Sequence, residues 1–114
     1  MDACSLHNRH CTPCQGGVPA LTAAESSARR AELAPDWTLD EAATQISRRF
    51  KCPNFREALA LANRIGELAE AEGHHPTLTV GWGFCRVELT THKIKGLHDN
   101  DFLMAAKIDT LVRS

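Results

Sequence analysis

The chain contains no tyrosine, and aromatic residues make up only 5% of its 114 residues. It also has no apolar run of the roughly 18–20 residues that a membrane-spanning helix needs. The first ten residues, "MDACSLHNRH", show no hydrophobic segment of a signal peptide. A formal net charge of -1 at pH 7 provides no positive excess for binding a nucleic acid. We therefore expect a cytoplasmic protein of one compact domain, with neither a membrane nor a nucleic acid as partner.

The cysteines are few and odd in number, five in all, which in a chain without an export signal indicates reduced thiols. The stretch "CTPCQGGVPA" has no hydrophobic periodicity, so we predict a flexible tail over residues 1–20 and a domain over residues 21–114. A zinc site in the tail would need four well-placed ligands, and the sequence favours a mobile reduced tail that binds no metal. The candidate ligands there are Cys4, His7, His10, Cys11 and Cys14.

Helix signals occur at three places in the predicted domain. Thr22 and Glu25 form a capping box before "AAESSARRAEL", and Pro35 should end that helix near residue 34. Asn54 caps a second helix, along which apolar residues recur at three- and four-residue steps until Gly73. A third helix begins at about residue 99.

Strand signals lie between these helices. "TQISRRFKC" roughly alternates, with Ile46 and Phe50 on one face, and can form a hairpin with "DWTLD". "TLTVGWGFCRVELTTH" also alternates, with a turn at "GWGF", which predicts antiparallel strands over about 77–82 and 85–92. The order of elements predicts a two-layer α+β domain in which a four-stranded antiparallel sheet carries three helices on one face.

Two adjacent histidines, His74 and His75, follow the predicted end of the second helix directly and precede Pro76. A hairpin turn centred between residues 83 and 84 would pair residues whose numbers sum to about 167. His75 would then lie opposite His92, with His74 close by. The sequence therefore predicts three imidazoles at one rim of the sheet.

These histidines have three possible interpretations. Each could simply lie near a helix C-terminus, where a protonated imidazole is slightly favoured by the dipole. They could bind a metal, although adjacent residues of an extended chain point in opposite directions and would not readily share one ion. They could transfer protons, since the reference pKa of histidine lies near neutrality. Because the chain contains no nucleophile elbow, phosphate loop or dinucleotide fingerprint, we favour acid–base chemistry without a covalent intermediate.

The spacing of seven residues resembles the signature of the pterin-4a-carbinolamine dehydratase family, and the similarity extends over about residues 11–112. The residues are Glu70, His74, His75, Pro76, Trp82, His92 and Asp101. The resemblance implies the α+β fold predicted above, assembly into dimers or tetramers, and catalysis without a cofactor. It also implies a reaction, the dehydration of 4a-hydroxytetrahydrobiopterin left by an aromatic amino acid hydroxylase. The product, a quinonoid dihydropterin, is returned to the tetrahydro form by a reductase.

The resemblance also implies roles for individual residues. His74 and His92 would exchange protons with the substrate, and His75 would bind and orient it. The remaining signature residues are candidates for substrate binding: Glu70, Pro76, Trp82 and Asp101. Three of these have a further interpretation: Glu70 can hydrogen-bond a histidine, Asp101 suits the first turn of a helix, and Trp82 can pack on the sheet. For His98, outside the signature, an exposed helix cap is the favoured interpretation.

An alternative function is a protein-binding module of the same fold, such as a transcriptional coactivator or a Rubisco assembly factor. Such a module has no physical need for a full set of proton-transferring residues, and this chain retains the set. The sequence therefore favours the enzyme, with a small pterin as its ligand and a hydroxylase as a possible protein partner.

Overall fold

The computed structural model of the chain describes residues 19–113. The cysteine–histidine group of the predicted tail lies outside the described residues. The helices are α1 (Ala23–Ala31), α2 (Phe55–Glu72) and α3 (Asp99–Arg113), and the strands are β1 (Thr38–Leu39), β2 (Ile46–Lys51), β3 (Thr77–Gly81) and β4 (Phe84–Leu89). A 3₁₀ turn (His92–Ile94) lies between β4 and α3. The predicted order of helices and strands is confirmed.

The four strands form one antiparallel sheet in the order β1-β2-β4-β3, which confirms the α+β class. Alternate side chains of β4 are buried, with exposed or half-buried residues between them. On β2 Ile46 and Phe50 are buried, and Arg48, which lies between them on the same face, is half-buried. The buried set packs with residues of α2 and α3 and with Leu33 and Trp37, which lie between α1 and β1, and it comprises Ile46, Phe50, Cys85, Val87 and Leu89. The alternation seen in the sequence therefore separates a core face from an open face.

Helix α2 carries the chain to the rim of the sheet at which the histidines lie. Asn54 accepts a hydrogen bond from the backbone N–H of Glu57 at 2.9 Å, which starts the helix. At the other end Gly73 has φ +68°, a left-handed conformation that glycine adopts at little cost. Its backbone N–H donates to the carbonyl of Ala69 at 2.9 Å. The helix therefore ends at Glu72, with only Gly73 between it and His74, and Pro76 leads into β3.

The hairpin of β3 and β4 turns one residue earlier in the chain than the alternation predicts. Thr77 pairs with Glu88 and Gly81 with Phe84, so paired residue numbers sum to 165, and the predicted sum of 167 is wrong. The turn contains only Trp82 and Gly83, and Gly83 has φ +83°. Because the sum differs from the predicted one by two, an even number, every side chain stays on its predicted face of the sheet. The corrected register, extended toward the rim, sets residue 74 level with residue 91.

The predicted strand over residues 85–92 is also too long, because β4 ends at Leu89. Thr91 and Gly96 form a bridge that closes the following loop, and the N–H of Thr91 donates to the carbonyl of Gly96 at 2.9 Å. Lys95 adopts a left-handed conformation with φ +54°. The chain reverses here so that Leu97 is fully buried before α3 begins. His92 therefore lies in the 3₁₀ turn and not on a strand.

The first half of the domain follows the predicted pattern with shorter elements. The Thr22–Glu25 capping box is present, and α1 ends at Ala31, ahead of Pro35. The first hairpin is present, although β1 has only two residues. Its loop is held by Asp40, whose carboxylate accepts a hydrogen bond from the backbone N–H of Thr44 at 2.7 Å. Within residues 19–113, no helix combines the length and the apolar composition that crossing a bilayer would require.

Candidate active site

A cavity of about 280 Å³ opens at the rim of the sheet where α2 ends. It is lined by the turn after α2, the loop after β4 and the first turn of α3. The lining residues are Gly73, His74, His75, Thr90, Thr91, His92, Lys93 and Asn100. The structure therefore brings all three predicted histidines to one pocket, although they come from separate parts of the chain.

His74 is held by a carboxylate from the neighbouring helix. Its Nε2 lies 2.6 Å from Oδ1 of Asp101, and the side chains of His74 and Asp101 are 11% and 0% exposed. Because Asp101 accepts at Nε2, the neutral imidazole carries its hydrogen there. Nδ1 is then the ring nitrogen available to a ligand, and as an unprotonated nitrogen it can accept a proton.

Asp101 is anchored by two further hydrogen bonds, both to Oδ2. The Thr91 hydroxyl donates from 2.8 Å and the His98 backbone N–H donates from 3.0 Å. The imidazole Nδ1 of His98 in turn accepts from the backbone N–H of Asn100 at 3.1 Å, so His98 caps α3. Asp101 thus belongs to the cap of α3 and to the histidine pocket at once.

His75 faces a different carboxylate and a wetter environment. Its Nε2 contacts Oε2 of Glu70, one turn back on α2, and the two side chains are 61% and 74% exposed. An exposed pair of this kind contributes little to stability because water screens it. It does hold the ring of His75 at the pocket mouth. The adjacent histidines therefore contact separate carboxylates.

His92 reaches the pocket from the 3₁₀ turn, and it is exposed. Lys93, the next residue, also lines the cavity and adds a positive charge near the third imidazole. In the described part of the chain, no group of three or more histidine, cysteine or acidic side chains is arranged to hold a metal ion.

Four residues of the predicted site do not line this cavity. Glu70 and Asp101 contact its histidines, whereas Pro76 and Trp82 lie further away. Pro76 is half-buried just beyond it, between His75 and β3. Trp82 is 75% exposed in the hairpin turn at the opposite end of β3. There it lines a separate cleft with Arg49, Lys51, Cys52 and Gly83. Five residues of strand at about 3.3 Å each separate the turn from the histidines, so within one chain Trp82 is not a wall of this pocket.

Sequence reasoning missed Thr90, Thr91, Lys93 and Asn100 as lining residues. A signal for Thr91 was present, because the corrected hairpin register sets it level with His74. The predicted register set His75 opposite His92, so Thr91 was not identified as a neighbour of His74.

A buried carboxylate contacts one imidazole, and two further imidazoles line the same small cavity, an arrangement that is chemically able to support general acid–base reactions. The geometry agrees with the comparison of the sequence with known families. Residues 19–111 match the family described as pterin 4 alpha carbinolamine dehydratase, and the chain belongs to this family, whose members are dehydratases of the lyase class.

Bacterial relatives support the assignment over nearly the whole chain. A protein of Methylococcus capsulatus named as a pterin-4-alpha-carbinolamine dehydratase is 59% identical over 111 residues, which cover 97% of this chain and 96% of the relative. A protein of Halorhodospira halophila with the same name is 48% identical over 107 residues, covering 94% and 97%.

Solved structures show the same fold. A transcriptional coactivator/pterin dehydratase from Brucella melitensis superposes with a TM-score of 0.74 at 27% identity, covering 81% of this chain and 97% of that one. A pterin dehydratase-like protein identified as a RuBisCO assembly factor of the alpha-carboxysome superposes with a TM-score of 0.58 at 20% identity, covering 69% and 92%. The second similarity concerns the fold alone.

Proposed function

We propose that the chain dehydrates 4a-hydroxytetrahydrobiopterin to the quinonoid dihydropterin by histidine acid–base catalysis, and so supports recycling of tetrahydrobiopterin. The observation that carries the proposal is the shared cavity of His74, His75 and His92, with His74 oriented by the buried Asp101. The cavity, at about 280 Å³, has the size of a small heterocycle site.

The reaction needs two proton transfers and no redox step. The hydroxyl at C4a leaves as water and must receive a proton, while the neighbouring ring nitrogen N5 gives up a proton as the C4a–N5 double bond forms. A general acid and a general base held around one pocket meet this need, and each commonly contributes about 10²–10⁴-fold to the rate.

The structure suggests how the two roles divide. His74 has Nε2 hydrogen-bonded to Asp101, which leaves Nδ1 to accept a proton, and a carboxylate partner stabilises the imidazolium that forms. His92 lines the same cavity, is exposed to water and precedes Lys93 in the chain, and it can exchange protons with the leaving group and the solvent. His75, held by Glu70 at the pocket mouth, binds and orients the pterin ring.

A dehydration assay with chemically prepared carbinolamine tests this proposal. We expect His74→Ala and His92→Ala to lower kcat about 10²–10⁴-fold each, and His75→Ala to raise KM more than it lowers kcat. The matched control is His98→Asn, which removes an imidazole near the site but keeps a good helix cap and the backbone N–H that reaches Asp101. Rates near wild type for both His74→Ala and His92→Ala would refute histidine catalysis.

The assay also separates the enzyme from the alternative of a protein-binding module. The relative from Brucella melitensis is named both coactivator and dehydratase, so the two functions are not exclusive. Wild-type protein that turns over no carbinolamine but retains a stoichiometric protein partner from native cells would favour the module.

The predicted assembly into dimers or tetramers stays a prediction, and so does a hydroxylase partner. Two apolar residues one turn apart on α2, Phe55 and Leu59, are 46% and 45% exposed, and association of copies would cover them. Sedimentation of wild type against Phe55→Ser measures this.

A further inference from the structure

We propose that Thr91 is a positioning residue: its hydroxyl, acting through Asp101, fixes which nitrogen of His74 faces the substrate. The inference rests on the proposed function, because it concerns the same pocket and names a further residue on which its chemistry depends. Thr91 is not one of the residues that the spacing signature contains. It was brought to this position by the register of the hairpin and by the bridge to Gly96.

The hydrogen bonds of Asp101 limit the rotation of its side chain. A carboxylate bonded only to His74 could rotate about its Cβ–Cγ bond and present either oxygen. The Thr91 hydroxyl at 2.8 Å and the His98 backbone N–H at 3.0 Å both donate to Oδ2, which leaves Oδ1 for the imidazole. The pair of donors therefore determines the plane of the carboxylate.

The hydroxyl of Thr91 lies where solvent has little access. Thr91 is 4% exposed and Asp101 is fully buried, so water cannot easily replace a hydroxyl that has been removed. An unsatisfied carboxylate oxygen in such a place is costly, and the side chain would relax toward another donor. The backbone of Thr91 cannot move to compensate, because its N–H and carbonyl are both used to close the loop with Gly96 and Ile94.

The position of the Asp101 carboxylate determines which ring nitrogen of neutral His74 carries the hydrogen. With Oδ1 fixed 2.6 Å from Nε2, the neutral ring of His74 keeps its hydrogen on Nε2 and offers Nδ1 as the base. If Asp101 relaxes toward another donor so that neither of its oxygens accepts from Nε2, the ring loses this constraint and both neutral forms become populated. Only the form with a free Nδ1 can take a proton from the substrate, so the loss lowers kcat and leaves binding of the pterin largely intact.

Four charged or titratable groups contact His74, adjoin it in the chain or share its cavity. They are Asp101 on α3, His75 beside it in the chain, and His92 and Lys93 on the 3₁₀ turn. Replacing Thr91 alters none of these charges, so a change in the state of His74 can be attributed to the lost hydrogen bond.

The test uses the full-length protein with ¹⁵N-labelled histidine, in Thr91→Val, Thr91→Ser and wild-type forms. Long-range ¹H–¹⁵N correlation spectra report which ring nitrogen carries hydrogen, and His74 is assigned by the signal that His74→Ala removes. We expect the Nε2–H form of neutral His74 in wild type and Thr91→Ser, and a mixture of both forms in Thr91→Val. In the dehydration assay we expect Thr91→Val to lower kcat about tenfold or more with little change in KM, and Thr91→Ser to restore it.

Thr79→Val is the matched control, since Thr79 is an exposed residue of β3, and it should change neither readout. Should Thr91→Val fail to fold, Thr91→Cys serves in its place because a thiol has similar size but donates weakly. An unchanged Nε2–H form in Thr91→Val or Thr91→Cys would overturn the proposal. The spectra need no turnover, so a wild-type protein without dehydratase activity would refute the proposed function while the role of Thr91 is still decided by the imidazole signals.

Discussion

Helix α3 buries two aspartates whose surroundings differ. Asp101, in the first turn, contacts a titratable imidazole at the edge of an open cavity. Asp109, about 12 Å further along the helix, is 6% exposed and accepts from Trp37 Nε1 at 3.0 and 2.9 Å and from Arg48 at 2.8 Å. The partners of Asp109 are permanent donors, whereas one of the three partners of Asp101, the imidazole of His74, can gain and lose a proton. Burial of a carboxylate is therefore no sign of catalysis by itself; the kind of partner and the access of a ligand decide it.

The largest difference between the two aspartates is expected in activity. We predict that Asp101→Asn lowers kcat about 10²–10⁴-fold, the usual contribution of one acid–base group, because an amide cannot stabilise the imidazolium of His74. Asp109→Asn makes the same chemical change on the same helix and should leave kcat of the folded protein within a few-fold of wild type. Steady-state dehydration rates, normalised to the folded fraction, measure both. Equal losses of kcat in the two variants would show that the two aspartates do not differ in their importance for activity.

The order reverses for stability. Asp109→Ala removes the acceptor of the buried Trp37 N–H and the nearer of the two carboxylates that pair with Arg48. We expect a loss of about 2–3 kcal/mol in the free energy of unfolding, because the buried Trp37 N–H loses its acceptor and Arg48 keeps only the more distant carboxylate of Asp36. Urea denaturation followed by tryptophan fluorescence measures it. A cost below about 1 kcal/mol would show that the Trp37–Asp109–Arg48 cluster adds little.

The smallest effect is a pH dependence of stability at Asp109. Burial raises the pKa of its carboxyl, and the hydrogen bonds from Trp37 and Arg48 only partly oppose this. Because the folded-state pKa is the higher one, the unfolded chain releases its proton first, from about pH 4 upward. The folded state therefore loses stability as pH rises from about pH 4 to the folded-state pKa of Asp109.

The comparison is made with Asp109→Asn, which cannot titrate. We expect the free energy of unfolding of wild type minus that of Asp109→Asn to be greatest at acid pH and to decline to a plateau above the folded-state pKa. Chemical denaturation at several pH values checks this. A difference that instead grows as pH rises would mean that the ion pair with Arg48 outweighs burial.

Prediction from the sequence succeeded where the determining interactions are local. The cap at Thr22, the cap at Asn54 and the stop at Gly73 depend on residues within four positions of one another. The faces of β2 and β4 depend on simple alternation. The prediction of the hairpin register was wrong because two registers, with paired residue numbers that sum to 165 or to 167, satisfy the same alternation. The prediction of a strand through residue 92 was wrong because the bridge of Thr91 to Gly96 forms only when the chain reverses to bury Leu97.

The candidate site shows the same division. Its histidines could be found from their spacing, and their convergence on one cavity was expected even with the wrong register, because an error of two residues moves a side chain along a face and not off it. The second role of Asp101, as the partner of His74, was underweighted, since a carboxylate in the first turn of a helix has a sufficient local explanation.

By itself the amino-acid sequence determined the order of the helices and strands, the face that each strand buries and the family to which the chain belongs. These properties follow from periodicity, from capping residues and from residue spacing, all of which are read along the chain. Only the tertiary structure decided that Trp82 lies away from the histidines, that Thr91 supports Asp101, and that Asp101 and Asp109 differ. Those properties depend on which side chains meet across elements far apart in sequence, and spacing along one chain does not specify such distances.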